Sequence, residues 1–218
     1  MKKAPGIKLE TLGPGSLAGL PVKGRPSRGE AENAVRTLLA WAGDDPERPG
    51  LLDTPRRVAA AFEERFGGYG EDPAAELART FEDVSGYQDM ILLRDVRLES
   101  HCEHHIAPFV GLAHVAYVPD RRVVGLSRLA RVVDIFAHRL QVQESLTAQI
   151  ANTIQSELAP KAVAVMIRAK HQCMTLRAVN QPAAIMVTTH FTGVFESDQI
   201  WRERFLQAVQ EPARDLGF

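Results

Sequence analysis

At 218 residues, with 45% hydrophobic and 24% charged positions, the chain has the make-up of a globular protein that can bury one sizeable core and a smaller annex. Its 26 basic and 27 acidic residues leave a net charge of −1, which excludes a global basic field for nucleic acid, so any phosphate site must be built from locally grouped arginines. There is no signal-peptide pattern and no apolar run of membrane-spanning length, so a cytoplasmic protein without a membrane partner is expected.

Residues 1–28 are rich in Gly, Pro and Lys and read as a flexible N-terminal tail. A helix is predicted over 29–42, with Ala34, Leu38 and Trp41 on one face. Thr54-Pro55 reads as an N-cap followed by proline at the first helical position. The helix it opens should carry Val58, Ala61, Phe62 and Phe66 inward and end near Gly67-Gly68. A short helix over 73–80 completes a helical region spanning 29–88.

From residue 89 the period changes. Segments 90–98 and 110–118 read as strands on either side of the loop Cys102-Glu103-His104-His105. Ser127 reads as the N-cap of a helix that buries Leu129, Val132, Val133, Phe136 and Leu140. A second helix over 143–158 places Leu146, Ile150, Ile154 and Leu158 at i+4 spacing. Strands over 162–172 and 184–195 and a last helix over 198–209 follow. Two strands, two helices and two strands imply an α+β domain over 89–218 built on an antiparallel sheet.

Chemistry concentrates in two clusters. Cys102 and Cys173 are the only cysteines, and each lies within three residues of a histidine. In a reducing compartment thiols serve metals or catalysis more often than crosslinks. Thiolate and imidazole are the ligands zinc prefers, and structural sites close with four of them. Three ligand candidates (Cys102, His105 and Cys173) with two further histidines resemble a catalytic site with an open position. A disulfide or buried thiol pair flanked by ordinary histidines is the competing reading.

Along the second cluster, Val163, Val165, Ile167, Ala169, His171 and Cys173 alternate onto one strand face, apolar until its last two members. His104 cannot easily share the direction of Cys102 and His105, which leaves it free to face a substrate or a partner that orients a ligand. Glu103 either orients a ligand histidine or is solvated. Arg128 and Arg131, three apart at a helix start, form a natural phosphate site. Arg57 and Arg177 join them only through tertiary or subunit contacts. Gln143-Glu144 opens a helix, where a carboxylate complements the dipole or meets paired N–H donors such as a guanine edge.

Ser100-His101-Cys102-Glu103-His104-His105, Pro108-Phe109-Val110-Gly111, Gly125-Leu126-Ser127, 141–147 (QVQESLT) and His171-Gln172-Cys173-Met174 resemble GTP cyclohydrolase I in order and spacing, from about Pro46 to Leu206. The resemblance implies a T-fold antiparallel sheet with two helices packed on it and an N-terminal helical annex. It also implies a homodecamer with active sites at subunit junctions. The implied reaction takes GTP and water to 7,8-dihydroneopterin triphosphate and formate, the entry to folate and pterin synthesis. By the same resemblance Cys102, His105 and Cys173 hold zinc, and His104 and His171 move protons. Gln143 and Glu144 hold guanine, Ser127 touches substrate, and Arg57, Arg128, Arg131 and Arg177 hold the triphosphate.

The chain departs from the family in places. Ala178 stands where glycine is usual, Ala184 and Met186 replace hydroxyl residues, and Arg128 stands where lysine is common. Ala178 and the altered strand at Ala184 and Met186 are what an alternative rests on: a catalytically weak T-fold relative that binds a purine or pterin around a mainly structural zinc. His190 reads as incidental.

Overall fold

The computed structural model describes residues 24–81, 86–176 and 181–210. Helix α1 (Arg28–Trp41) starts with a reciprocal cap: the Ser27 hydroxyl accepts from Glu30 N–H, and the Glu30 carboxylate accepts from Ser27 N–H at 2.8 Å. It packs on α2 (Thr54–Arg65), yet none of its residues is buried. The face that carries Ala34, Leu38 and Trp41 is open, with Leu38 61% and Trp41 85% exposed. Periodicity marks a face as apolar; it does not say that the same chain covers it.

In α2 Thr54 is the first helical residue rather than the cap. Thr54 N–H donates to Leu51 O at 2.9 Å, so the chain is already turning, and Asp53 takes the cap position without a side-chain bond to the helix N–H groups. Pro55 and Ala59 are the residues α2 buries, and Phe62 is 41% exposed rather than inward. The helix ends at Arg65, ahead of a 3-10 turn at Gly67–Gly70. A Cβ at Gly68 would lie 2.1 Å from Ile135 O, so only glycine lets this turn approach the following helical layer. Buried Arg139 ties the approach down, donating from Nε to Gly68 O at 2.9 Å and from Nη2 to Glu71 O at 3.0 Å. Helix α3 (Pro73–Leu77) is capped by Asp72, whose carboxylate accepts from Ala74 N–H at 3.0 Å.

Two short strands, β1 (Thr80–Phe81) and β4 (Val123–Val124), pair with each other. The main sheet has the order β5-β2-β3-β6-β7. Strands β2 (Ile91–Cys102), β3 (Pro108–Val118), β6 (Ala162–His171) and β7 (Met186–Phe191) run antiparallel, and β5 (Leu140–Gln141) pairs parallel to the end of β2. Helices α4 (Leu126–Ala137) and α5 (Gln143–Leu158) cover one face, where Leu129, Val132, Leu146, Ile150 and Ile154 meet Val163, Val165 and Ile167 with no exposed surface. Burying each such side chain stabilises the fold by about 1.5–3 kcal/mol before entropy is counted. Helices α7 (Val194–Ser197) and α8 (Gln199–Gln210) form a second core with Ala116, Ala164 and Met166 on the opposite face.

Several expectations shift in detail. Gly125, extended at φ −62° and ψ 140°, caps α4 in place of Ser127, because pairing of Val124 with Thr80 holds the chain extended up to that point. Leu140 leaves the buried helix face for β5. Strand β6 stops at His171, and Cys173 sits on a short helical turn, α6 (Gln172–Thr175). The last strand begins at Met186 rather than Ala184. Ala164 and Met166, on the strand face opposite Val163 and Val165, are buried beneath the C-terminal helices.

Candidate active site

Strand register assembles the site. Antiparallel pairing sets Pro108 opposite His101 and His171 opposite Phe109, so the ends of β2, β3 and β6 meet at one edge of the sheet. Parallel pairing of Cys102 with Gln141 then places the start of α5 beside them. Between β2 and β3 the loop folds back tightly: Cys102 N–H donates to Ala107 O at 2.9 Å, and Ile106 N–H to Cys102 O at 2.8 Å. Ile106 has φ 52°, a left-handed conformation that costs a β-branched residue energy and that the loop's hydrogen bonds impose. The turn brings His105 Nδ1 to 3.9 Å from Cys102 Sγ. Helix α6 turns Cys173 toward the same point, and the three ligand atoms of Cys102, His105 and Cys173 lie within 4.8 Å of one another.

The donor set fits zinc. Zinc bonds of about 2.0–2.3 Å in a tetrahedron put ligand atoms roughly 3.3–3.8 Å apart, which the loop and α6 can reach by closing about 1 Å. Two thiols and one imidazole make three protein ligands, the number of a catalytic site that keeps one position open. Cys102 is buried and Cys173 half-buried, so the sulfurs sit at the rim of the core, while His105 faces solvent.

His171 lies beside this group. Its ring stacks on Phe109 at 4.4 Å between centroids and 8° between planes, and its Nε2 lies 2.8 Å from Gln143 Oε1. Burial pushes the imidazole below the usual histidine range, with the Glu144 carboxylate pulling the other way. Glu144 is exposed in the first turn of α5, whereas its neighbour Gln143 is fully buried. His104 and Glu103 are both exposed, and Glu103 is held through its backbone, N–H to Gln141 O at 3.1 Å.

The arginines form a separate set. Arg128 pairs with Glu76 of α3, and Arg131 with Glu71 and Asp134. Arg57 is exposed and pairs with Asp53 at 3.2 Å. Their partners are carboxylates of the helical annex and α4 rather than members of the Cys–His group. Ser127 is exposed in the first turn of α4. Arg177 and Ala178 lie outside the described residues.

Three features escape a reading of the sequence. Gln143 touches His171, Phe109 stacks on it, and β5 joins α5 to the ligand loop. Each depends on register between segments far apart in the chain. The two-residue β5 in particular has no pattern to detect.

Comparison with known proteins points one way. The sequence model of the family described as GTP cyclohydrolase I matches residues 31–210. A protein of Hyphomonas neptunium named GTP cyclohydrolase 1 is 61% identical over 182 residues, 84% of this chain and 88% of that protein. One of Maricaulis maris with the same name is 55% identical over 186 residues, 85% of this chain and 91% of the relative. A Brucella abortus protein, also so named, is 56% identical over 186 residues, 85% and 87% of the two chains. Among solved structures, an apo archaeosine synthase QueF-like protein aligns at TM-score 0.38 and 15% identity, covering 48% of this chain and 93% of its own. Dihydroneopterin aldolase from Burkholderia thailendensis bound to guanine aligns at TM-score 0.36 and 16% identity, covering 49% and 91%. Likeness at that level carries no functional weight.

Proposed function

This chain belongs to the GTP cyclohydrolase I family, and from that membership we propose that it converts GTP and water to 7,8-dihydroneopterin triphosphate and formate at the cluster of Cys102, His105, Cys173 and His171. The observation that carries the reading is the convergence of the Cys102, His105 and Cys173 ligand atoms within 4.8 Å. It sits at the sheet edge where His171 lies opposite Phe109.

Cys102 and Cys173 as thiolates and His105 as a neutral imidazole would hold zinc. Zinc held there would supply Lewis acidity and make water nucleophilic near neutral pH. The protein's own groups do the rest. His171, with its basicity lowered by burial, can take a proton and return it as the purine ring opens. Exposed His104 serves the later proton transfers. The Glu144 carboxylate, at the start of α5, can accept from both N–H groups of a guanine edge, and an adenine would leave it mismatched.

Arg57, Arg128, Arg131 and Arg177 are proposed to hold the triphosphate, and Ser127 to touch substrate. Arg128 and Arg131 are already matched by Glu76, Glu71 and Asp134, so phosphate binding exchanges those partners for phosphate oxygens. A homodecamer with sites at subunit junctions is part of the same proposal, supported by the exposed Leu38, Trp41 and Phe62 of the annex. So is a cytoplasmic setting for residues 29–88 as annex and 89–218 as catalytic domain. Among the described residues no helix is long and apolar enough to cross a membrane.

The test is GTP turnover by purified protein with quantified zinc, followed by formate release and pterin absorbance. Cys173→Ala should lose most bound zinc and at least about 100-fold of the turnover. Stoichiometric zinc in wild type without formate release would overturn the assignment.

A further inference from the structure

The resemblance assigns Gln143 to guanine, but the structure uses its side chain elsewhere. Gln143 is 0% exposed. Its Nε2 lies 3.1 Å from Ile167 O, 3.2 Å from Met186 O and 3.1 Å from Thr188 Oγ1. Carbonyl oxygens only accept, so the NH2 end of the amide must face them; the flipped amide would set its oxygen against two carbonyls. The hydroxyls agree with this direction. Thr147 donates to Gln143 O at 2.7 Å, which leaves Thr188 to donate to Thr147 Oγ1 at 2.7 Å and to accept from Gln143. With every hydrogen placed, Gln143 Oε1 is an acceptor, and 2.8 Å away stands His171 Nε2. That ring nitrogen must carry a hydrogen.

We propose that Gln143 is a positioning residue that holds His171 as its Nε2–H tautomer, leaving Nδ1 as the nitrogen that exchanges a proton with substrate. Phe109, stacked 8° from parallel, fixes the plane of the ring, and the amide fixes its rotation within that plane. Buried polar networks orient catalytic histidines in this way because an unmet donor or acceptor in a low dielectric is costly. Guanine recognition then falls to Glu144, which the helix start leaves exposed. The tautomer follows from the hydrogen-bond geometry alone; the role of Nδ1 rests on the reading of His171 given above.

Two measurements on the zinc-loaded enzyme test this. Long-range proton–nitrogen correlation spectra of histidine-labelled protein, with the His171 signals identified by their loss in His171→Asn, should show hydrogen on Nε2. A dominant Nδ1–H form would overturn the proposal. In kinetics, Gln143→Leu should lower kcat about 10- to 100-fold while KM for GTP stays within about 3-fold, and the tautomer preference should disappear. A raised KM with kcat retained would return Gln143 to the guanine site. Should Gln143→Leu fail to fold, the wild-type spectrum decides by itself. Absence of GTP turnover in wild type would remove the proposed function while leaving the tautomer result intact.

Discussion

His171 and His114 are both withdrawn from water, and their neighbours treat them differently. His171 has a built partner in Gln143. His114, 2% exposed on β3, accepts at Nδ1 from Asp95 N–H at 3.2 Å, and its Nε2 has no partner among the described residues. Asp95 sits at φ 61° where the β2–β3 register shifts between Leu93 and Val96, which is what turns its backbone toward the ring. Burial lowers the His114 pKa; the Asp95 carboxylate opposes this, and Arg168 and Arg94 add to it. A histidine with a depressed folded pKa contributes stability that is present above its unfolded pKa of about 6.5 and is lost as pH falls through the folded pKa. Denaturant unfolding at about pH 7.5 and about pH 5.5 should therefore show wild type losing more stability on acidification than His114→Leu. Equal losses in the two proteins would remove His114 from the acid response.

At the scale of elements, the sheet edge that carries the site depends on a close approach of β3 and β6. A Cβ at Gly111 would lie 1.9 Å from Arg168 O and 2.6 Å from Ala169 Cα, so the strands cannot pair there around any side chain. Gly111 stands two residues from Phe109 along β3, and the same pairing places His171 opposite Phe109. Gly111→Ala should cost about 3 kcal/mol or more in denaturant unfolding and should weaken zinc binding, because it moves the strand that leads to Cys173. Ile150→Ala, in the fully buried layer between α5 and the sheet, should cost a similar 2–5 kcal/mol, roughly, yet leave the zinc stoichiometry of the folded fraction intact. Zinc loss in both variants alike would mean that the site follows global stability rather than strand register.

The whole molecule is unfinished at its surface. Among the described residues β7 pairs on one side only, with β6, and β2 meets β5 over just His101 and Cys102. Open edges of that length invite pairing with another chain. The annex adds exposed Leu38, Trp41, Leu52 and Phe62. Light scattering should accordingly give a mass well above the 24.0 kDa of one chain, with ten copies expected from the proposed assembly. Trp41→Ser should shift the protein toward smaller species. A stable monomer with full GTP turnover would refute sites shared between subunits.

How much of this was legible beforehand depends on the range of the interactions involved. Helix α5 could be read at its observed bounds from i+4 apolar spacing, and the antiparallel sheet from alternating runs, because both periods are local properties of the backbone. The ligand candidates Cys102, His105 and Cys173 stood out through rarity and spacing, which needs no coordinates. Tertiary structure decided the rest: which faces are covered, where β6 gives way to α6, and why Gly125 rather than Ser127 caps α4. It also turned Gln143 inward to His171 while leaving Glu144 outward, a distinction between adjacent residues of similar chemistry. Propensity and period act over a few residues, so they determine elements and candidate ligands. Register and packing join positions tens of residues apart, and only the folded chain settles which candidate touches which.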